Sequence, residues 1–172
     1  MPRERAEVQV RPGFEDDLKA LTDLYNHYVR ETPITFDTAP FTPEERRPWL
    51  LSHPEDGPHR LRVATDADSQ EILGYATSSP YRAKAAYGTS VETTVYVAPH
   101  AAGRGVGTLL YAALFDALAD EDVHRAYAGI AQPNEASVRL HERFGFRYVG
   151  TYGEVGRKFG RYWDVAWYEK PL

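Results

Sequence analysis

Three stretches of the chain hold residues whose types and spacing could do chemistry. In the first, Val91-Glu92-Thr93-Thr94-Val95-Tyr96-Val97, one carboxylate interrupts a run of strand-forming side chains. A carboxylate buried in such a strand has its charged form disfavoured and becomes a better proton acceptor. Strand alternation also allows the same glutamate to face solvent. In the second, Ala102-Gly103-Arg104-Gly105-Val106-Gly107-Thr108 joins a predicted strand to a predicted helix. Glycines let a ligand approach the backbone closely, and the first amides of a helix lack partners within it. Together with the helix dipole they make an anion site suited to phosphate, to which Arg104 adds a positive charge. The glycines alone fit a tight strand-to-helix turn equally well. In the third, Asn134 opens a helix and His141 follows seven residues later. Asn134 reads as an N-cap. The His141 imidazole can exchange protons near neutral pH or simply pack.

Other chemistries are excluded by what the pattern lacks. The glycines are spaced G-x-G-x-G and lie late in the chain, unlike a dinucleotide fingerprint, and Thr108 has no lysine before it as a nucleoside-triphosphate loop requires. The chain has no cysteine, so disulfides, thiolate metal sites and a cysteine nucleophile are ruled out. No pair of the six histidines has zinc-ligand spacing with acidic partners, so no metal is expected. A Gly-x-Ser-x-Gly elbow is also missing. Lysine plus arginine is 20 against 25 aspartate plus glutamate, a net charge of -5, so the chain is not built to hold nucleic acid or an acidic membrane surface. The longest nearly uncharged run, 109–115, falls short of a membrane span, and residues 1–5 read as a frayed end rather than a signal peptide. A cytoplasmic location is expected.

The elements that must position these residues follow from periodicity. At 172 residues the chain makes one domain. A short strand at Val8 and Val10 precedes a helix over 14–29, with leucines and tyrosines at helical spacing. A loop over 31–41 leads to a second helix that starts at Pro43 behind the Thr42 cap and stops near His53. Strands are expected over 61–65, 71–79 and 90–98, then the glycine loop over 99–107 and a helix over 108–119. A strand over 124–130, a helix over 134–144 closed by Gly145, and strands over 147–154 and 162–169 complete the chain. Hairpins mixed with strand–helix–strand crossovers make this an α+β (mixed α/β) domain, its central mixed, mostly antiparallel sheet flanked by helices.

The strand, glycine loop and helix resemble the acetyl-CoA-binding motif of the GNAT superfamily of N-acetyltransferases. That motif has glutamine or arginine at the first position, where this chain has Ala102. The departure removes one side-chain contact and leaves the amides. Asn26-His27-Tyr28, Ile34-Thr35-Phe36, Tyr81-Arg82-Ala83-Lys84-Ala85-Ala86-Tyr87, Ser137-Val138-Arg139-Leu140-His141-Glu142 and Trp163-Asp164-Val165, together with the Glu92 strand, are similar to the phosphinothricin N-acetyltransferase subgroup.

The resemblance implies transfer of an acetyl group from acetyl-CoA to the primary amine of a small amino-acid-like substrate, by direct attack in a ternary complex. Glu92 would be the base, and His141 would assist proton transfer, in a relay with Glu92 or beside the coenzyme. Backbone groups of Val95, Tyr96 and Val97 would pair with the pantetheine arm. Gly103, Arg104, Gly105, Val106, Gly107 and Thr108 would hold the pyrophosphate, with Asn134 adding a contact. Thr35, Phe36, Arg82 and Tyr87 would face the substrate, Arg82 pairing with a carboxylate or oxyacid. A homodimer is implied. Two competing readings are acetylation of another amine (an aminoglycoside, a polyamine or a protein N-terminus) and a non-catalytic acyl-CoA-binding module.

Overall fold

The computed structural model describes residues 6–172. The expected frayed end at 1–5 lies outside the described residues. Seven strands form one sheet in the order β1-β2-β3-β4-β5-β7-β6. The strands are β1 (Val8–Pro12), β2 (Leu61–Asp66), β3 (Ile72–Pro80), β4 (Ser90–Val97), β5 (Arg125–Ala131), β6 (Arg147–Lys158) and β7 (Arg161–Pro171). Every pairing is antiparallel except β4 with β5. The helices are α1 (Leu18–Glu31), α2 (Pro43–Leu51), α3 (Val106–Leu118) and α4 (Glu135–Arg143). This is the expected mixed, mostly antiparallel architecture.

Side-chain alternation divides the core into two layers. Val63 and Tyr75 on one sheet face pack with Leu18 and Leu21 of α1 and Leu50 of α2. Ala64 and Ala76 on the other pack with Leu110, Tyr111 and Leu114 of α3 and with Phe146.

Five elements differ in their bounds from expectation for local reasons. Residues 15–17 form a 3-10 turn, so α1 starts at Leu18, with Asp17 held by Arg11 at 2.7 Å and 2.9 Å. Thr42 and Glu45 form a reciprocal capping box on α2, which ends at Leu51 instead of near His53. Gly105, at φ 74°, is the N-cap of α3, so the helix begins at Val106 rather than Thr108. The last two strands are longer than the pattern suggested. An irregularity between Tyr152 and Gly156 carries β6 past its glycines, and the Glu154 amide donates to Asp164 Oδ1 at 2.7 Å. Phe159 and Gly160, both at positive φ, then make the turn into β7.

Candidate active site

The site begins where two strands part. β4 pairs with β5 only at Ser90, Val91 and Glu92. Beyond Glu92 the strands diverge, and β4 continues on β3 alone. The Ala98 amide donates to Leu73 of β3, and Tyr75 lies opposite Tyr96. Peptide groups alternate along a strand, so those of Tyr96 and Ala98 face β3, and those of Val95 and Val97 face the gap. The peptide of Tyr96 thus belongs to the sheet ladder, while the residue lines the gap beside Val95. Its ring packs against Tyr25, Tyr28 and Tyr75 at centroid distances of 5.5, 5.0 and 5.5 Å. The Tyr28 hydroxyl donates to the Val97 carbonyl. Asn134, the N-cap of α4, lines the gap with Val95 and His141 while accepting from the Ser137 amide at 3.2 Å.

The glycine stretch opens onto a cleft of about 440 Å³ bounded by Val97, Gly103, Gly105, Val106, Gly107 and Thr108 on one side and Leu140 and Arg143 on the other. Gly103 and Gly105 have φ values of 79° and 74°, and no heavy atom lies within 4 Å of the methyl that another residue would place there. The first helical bond of α3 is from the Leu109 amide to Gly105, at 3.1 Å, leaving the amides of Val106, Gly107 and Thr108 without partners inside the helix. These groups fit a pyrophosphate. Arg104 is not where it was expected. Its guanidinium donates to the Ala6 carbonyl at 2.6 Å and lies 3.4 Å from Asp66, outside the cleft. The cation at the cleft is Arg143, which the sequence reading missed because a basic residue in the last turn of a helix ordinarily answers the dipole.

Glu92 is half-buried and lies opposite Ser79 of β3 and Tyr127 of β5. Burial pushes its carboxyl above the ordinary range, and the charge of Arg82 opposes that shift. Arg82 sits in the exposed 81–89 loop, its guanidinium carbon 4.3 Å from the centre of the Tyr81 ring. Tyr81 in turn stacks on Tyr127 at 4.6 Å and meets the edge of Tyr87 at 5.7 Å.

His141 is 3% exposed, and burial lowers its pKa, so the imidazole is neutral. Its Nδ1 lies 2.7 Å from the Ser137 carbonyl, which can only accept, so Nδ1 carries the proton. Its Nε2 therefore accepts from the Tyr111 hydroxyl at 2.7 Å, and Tyr111 accepts from Thr93 at 3.1 Å. This chain runs on the α3 face of β4, and Glu92 points to the opposite face. No hydrogen bond joins His141 to Glu92, whose relay was one of the two expected roles; Tyr111 and Thr93 are the partners that sequence reasoning missed.

The loop at 34–37 forms the opposite wall. Thr35 is buried, its hydroxyl 2.8 Å from Tyr25 Oη and its carbonyl accepting from Lys158 Nζ at 2.8 Å. Tyr25 also donates to Asp37, and burial first, then that bond, raises its hydroxyl to about 12. Phe36 lies against Gly156 so closely that a methyl there would overlap the ring. Gly156→Ala is expected to cost about 1–3 kcal/mol of stability by overpacking. It should raise KM for the acceptor and leave KM for the coenzyme unchanged, as thermal melts and steady-state kinetics would report.

The Acetyltransferase (GNAT) family model matches residues 21–146. The chain belongs to the GNAT acetyltransferase family. This GNAT protein is an acetyl-CoA-dependent N-acetyltransferase. It is 88% identical over 167 residues to a phosphinothricin N-acetyltransferase of Streptomyces coelicolor, covering 97% of this chain and 98% of that one. It is 33% identical to an L-methionine sulfoximine/L-methionine sulfone acetyltransferase of Pseudomonas aeruginosa, with 96% and 95% covered. A GNAT phosphinothricin acetyltransferase from Sinorhizobium meliloti, solved with acetyl-CoA, superposes with a TM-score of 0.88 at 28% identity, covering 96% of this chain and 88% of that one.

Proposed function

We propose that this acetyltransferase acetylates the α-amine of a small amino acid of the phosphinothricin and methionine sulfone type. The observation that carries the reading is Glu92, half-buried where β4 and β5 part, its carboxyl raised by burial and flanked by Arg82. The amine lone pair attacks the thioester carbonyl while Glu92 accepts the amine proton, directly or through a water. The tetrahedral intermediate then collapses, the C–S bond breaks, and the thiolate leaves and takes a proton. Val95 and Val97 offer peptide groups to the pantetheine arm. Gly103, Gly105, Val106, Gly107 and Thr108 hold the pyrophosphate with Arg143, and Asn134 adds its contact. His141 lines the gap and assists proton transfer, its Nε2 positioned to take a proton passed along the Thr93–Tyr111 chain. Thr35, Phe36, Arg82 and Tyr87 enclose the acceptor. The absence of cysteine from the sequence favours direct transfer over an acetyl-cysteine intermediate.

The test is thiol release from acetyl-CoA with phosphinothricin, methionine sulfone, an alanine-starting peptide, a polyamine and an aminoglycoside. Phosphinothricin and methionine sulfone should give the highest kcat/KM. A preference for the peptide, polyamine or aminoglycoside would replace the acceptor assignment. Tight acetyl-CoA binding without turnover on any amine would support a binding module instead.

The protein is further proposed to work in the cytoplasm as a homodimer, apart from nucleic acid and membranes. No helix among the described residues is long and apolar enough to cross a membrane. Strand β6 ends the sheet and exposes Tyr148, Val149, Tyr152 and Val155, each more than half accessible. An apolar sheet edge of this kind supports pairing with a second copy. Tyr152→Lys is expected to shift the sedimentation coefficient from dimer to monomer.

A further inference from the structure

The sheet face that carries Glu92 also carries a second cavity, of about 330 Å³, under α2. Its floor is made by Thr77 and Thr94, whose hydroxyls lie 2.7 Å apart, with Ser79 and Tyr96 beside them. Thr94 is two residues from Glu92, so the floor starts about 7 Å along the same face. Of the two threonine hydroxyl hydrogens, one closes the bond between them and the other is free for a ligand.

Over this floor hangs Arg46. It is 7% exposed, its guanidinium carbon 4.0 Å from the Tyr25 ring centre and 3.9 Å from that of Trp49. Its Nε has no hydrogen-bond partner, and it makes no ion pair among the described residues. Two carboxylates line the same cavity but are otherwise engaged: Asp37 accepts from the Tyr25 hydroxyl, and Glu45 caps α2 through the Thr42 amide. A buried cation ordinarily demands a counter-charge; aromatic faces and the neighbouring Tyr75 hydroxyl supply part of it, and Nε stays unpaired. Glu92 thus feels the charge of exposed Arg82, and the cavity under buried Arg46 begins two residues along the same strand face, at Thr94.

We infer that this cavity receives the oxygen-bearing end of the acceptor's side chain, a phosphinate, sulfone or sulfoximine, with Arg46 donating to its oxygens. Arg46 is then a specificity residue that favours acceptors ending in a tetrahedral phosphorus or sulfur group over plain aliphatic amino acids. This rests on the amino-acid reading above, which places the amine at Glu92 and leaves the carboxylate to Arg82.

The experiment compares kcat/KM for L-methionine sulfone with that for L-methionine, which differ only in the two sulfur oxygens. In Arg46→Met the sulfone-to-methionine ratio should fall about 10- to 100-fold, as loss of a charge-assisted hydrogen bond predicts. Arg46→Lys should fall between. Thr94→Val, which leaves α2 untouched, should lower the same ratio by less, so the inference is tested even if Arg46→Met does not fold. A ratio within twofold of wild type in Arg46→Lys and Thr94→Val overturns it. Equal loss on both amino acids in the Arg46 variants also overturns it, because Arg46 would then hold the carboxylate common to both or only pack. If the wild type releases thiol with neither amino acid, the acceptor reading itself falls, and this inference with it.

Discussion

Glu92→Gln is expected to lower kcat for acetyl transfer by about 100- to 10,000-fold, the range for removing a general base. Glutamine keeps the shape and half-burial of the side chain, so the fold and the parting of β4 from β5 should survive. Glu92 does not line the glycine cleft, so KM for acetyl-CoA should stay near wild type. The pH profile carries a second signature. A carboxylate base works only when deprotonated, so activity rises with pH through its pKa. Burial has moved that pKa above the ordinary range and Arg82 pulls it back. Arg82→Met should therefore shift the acid limb of kcat/KM to higher pH, whereas a limb set by the free amine's own ionisation would not move. A Glu92→Gln variant that turns over at the wild-type rate would remove the residue from the chemistry.

Gly105→Val should raise KM for acetyl-CoA by about 5- to 30-fold. No neighbouring atom opposes a side chain at this position, so the effect comes from the backbone. Gly105 has a φ of 74° and caps α3. An L-residue held in the left-handed region costs about 1–2 kcal/mol, and a β-branched one sits at the upper end. The chain relieves that strain by rotating the peptides that aim the Val106, Gly107 and Thr108 amides into the cleft. Gly105→Ala should show the same effect at smaller size. The measurement is acetyl-CoA binding by calorimetry beside the kinetic KM; unchanged affinity in Gly105→Val would show that the turn does not aim the cradle.

Local chemistry was legible in the sequence and long-range direction was not. The Thr42 and Asn134 caps and the glycine turn into α3 are each set by residues within a few positions; both caps form as read, and the turn forms with its helix starting two residues early, at Val106. Arg46 and Arg47 show the limit. Adjacent in sequence and alike in chemistry, they are separated by one helical step of about 100°. That step sends Arg47 outward to Glu44 and Glu15 and turns Arg46 inward between aromatic rings. The pattern of α2 does not announce which is which, because Tyr25, outside the helix, supplies half of the sandwich. Arg104 fails for the same reason: its partners, Ala6 and Asp66, are remote in the chain. Lys158 reaches Thr35 across 123 positions, a contact no local spacing encodes. At Glu92 the odd carboxylate in a strand was visible, but the tautomer of His141 needed Tyr111 and the Ser137 carbonyl in place.

The three-residue pairing of β4 with β5 also makes the sheet a reporter of ligand binding. Peptide groups of Val95 and Val97 that face the gap have no strand across from them and exchange their amide hydrogens by small local openings rather than by global unfolding. A linear ligand carrying its own amides, laid along that edge, would act as a non-covalent eighth strand. Deuterium uptake at Val95 and Val97 would then slow with coenzyme, ahead of any change in the β6–β7 hairpin. The melting temperature would climb with coenzyme concentration, reflecting about 2.7 kcal/mol of added stability at roughly 100 times Kd.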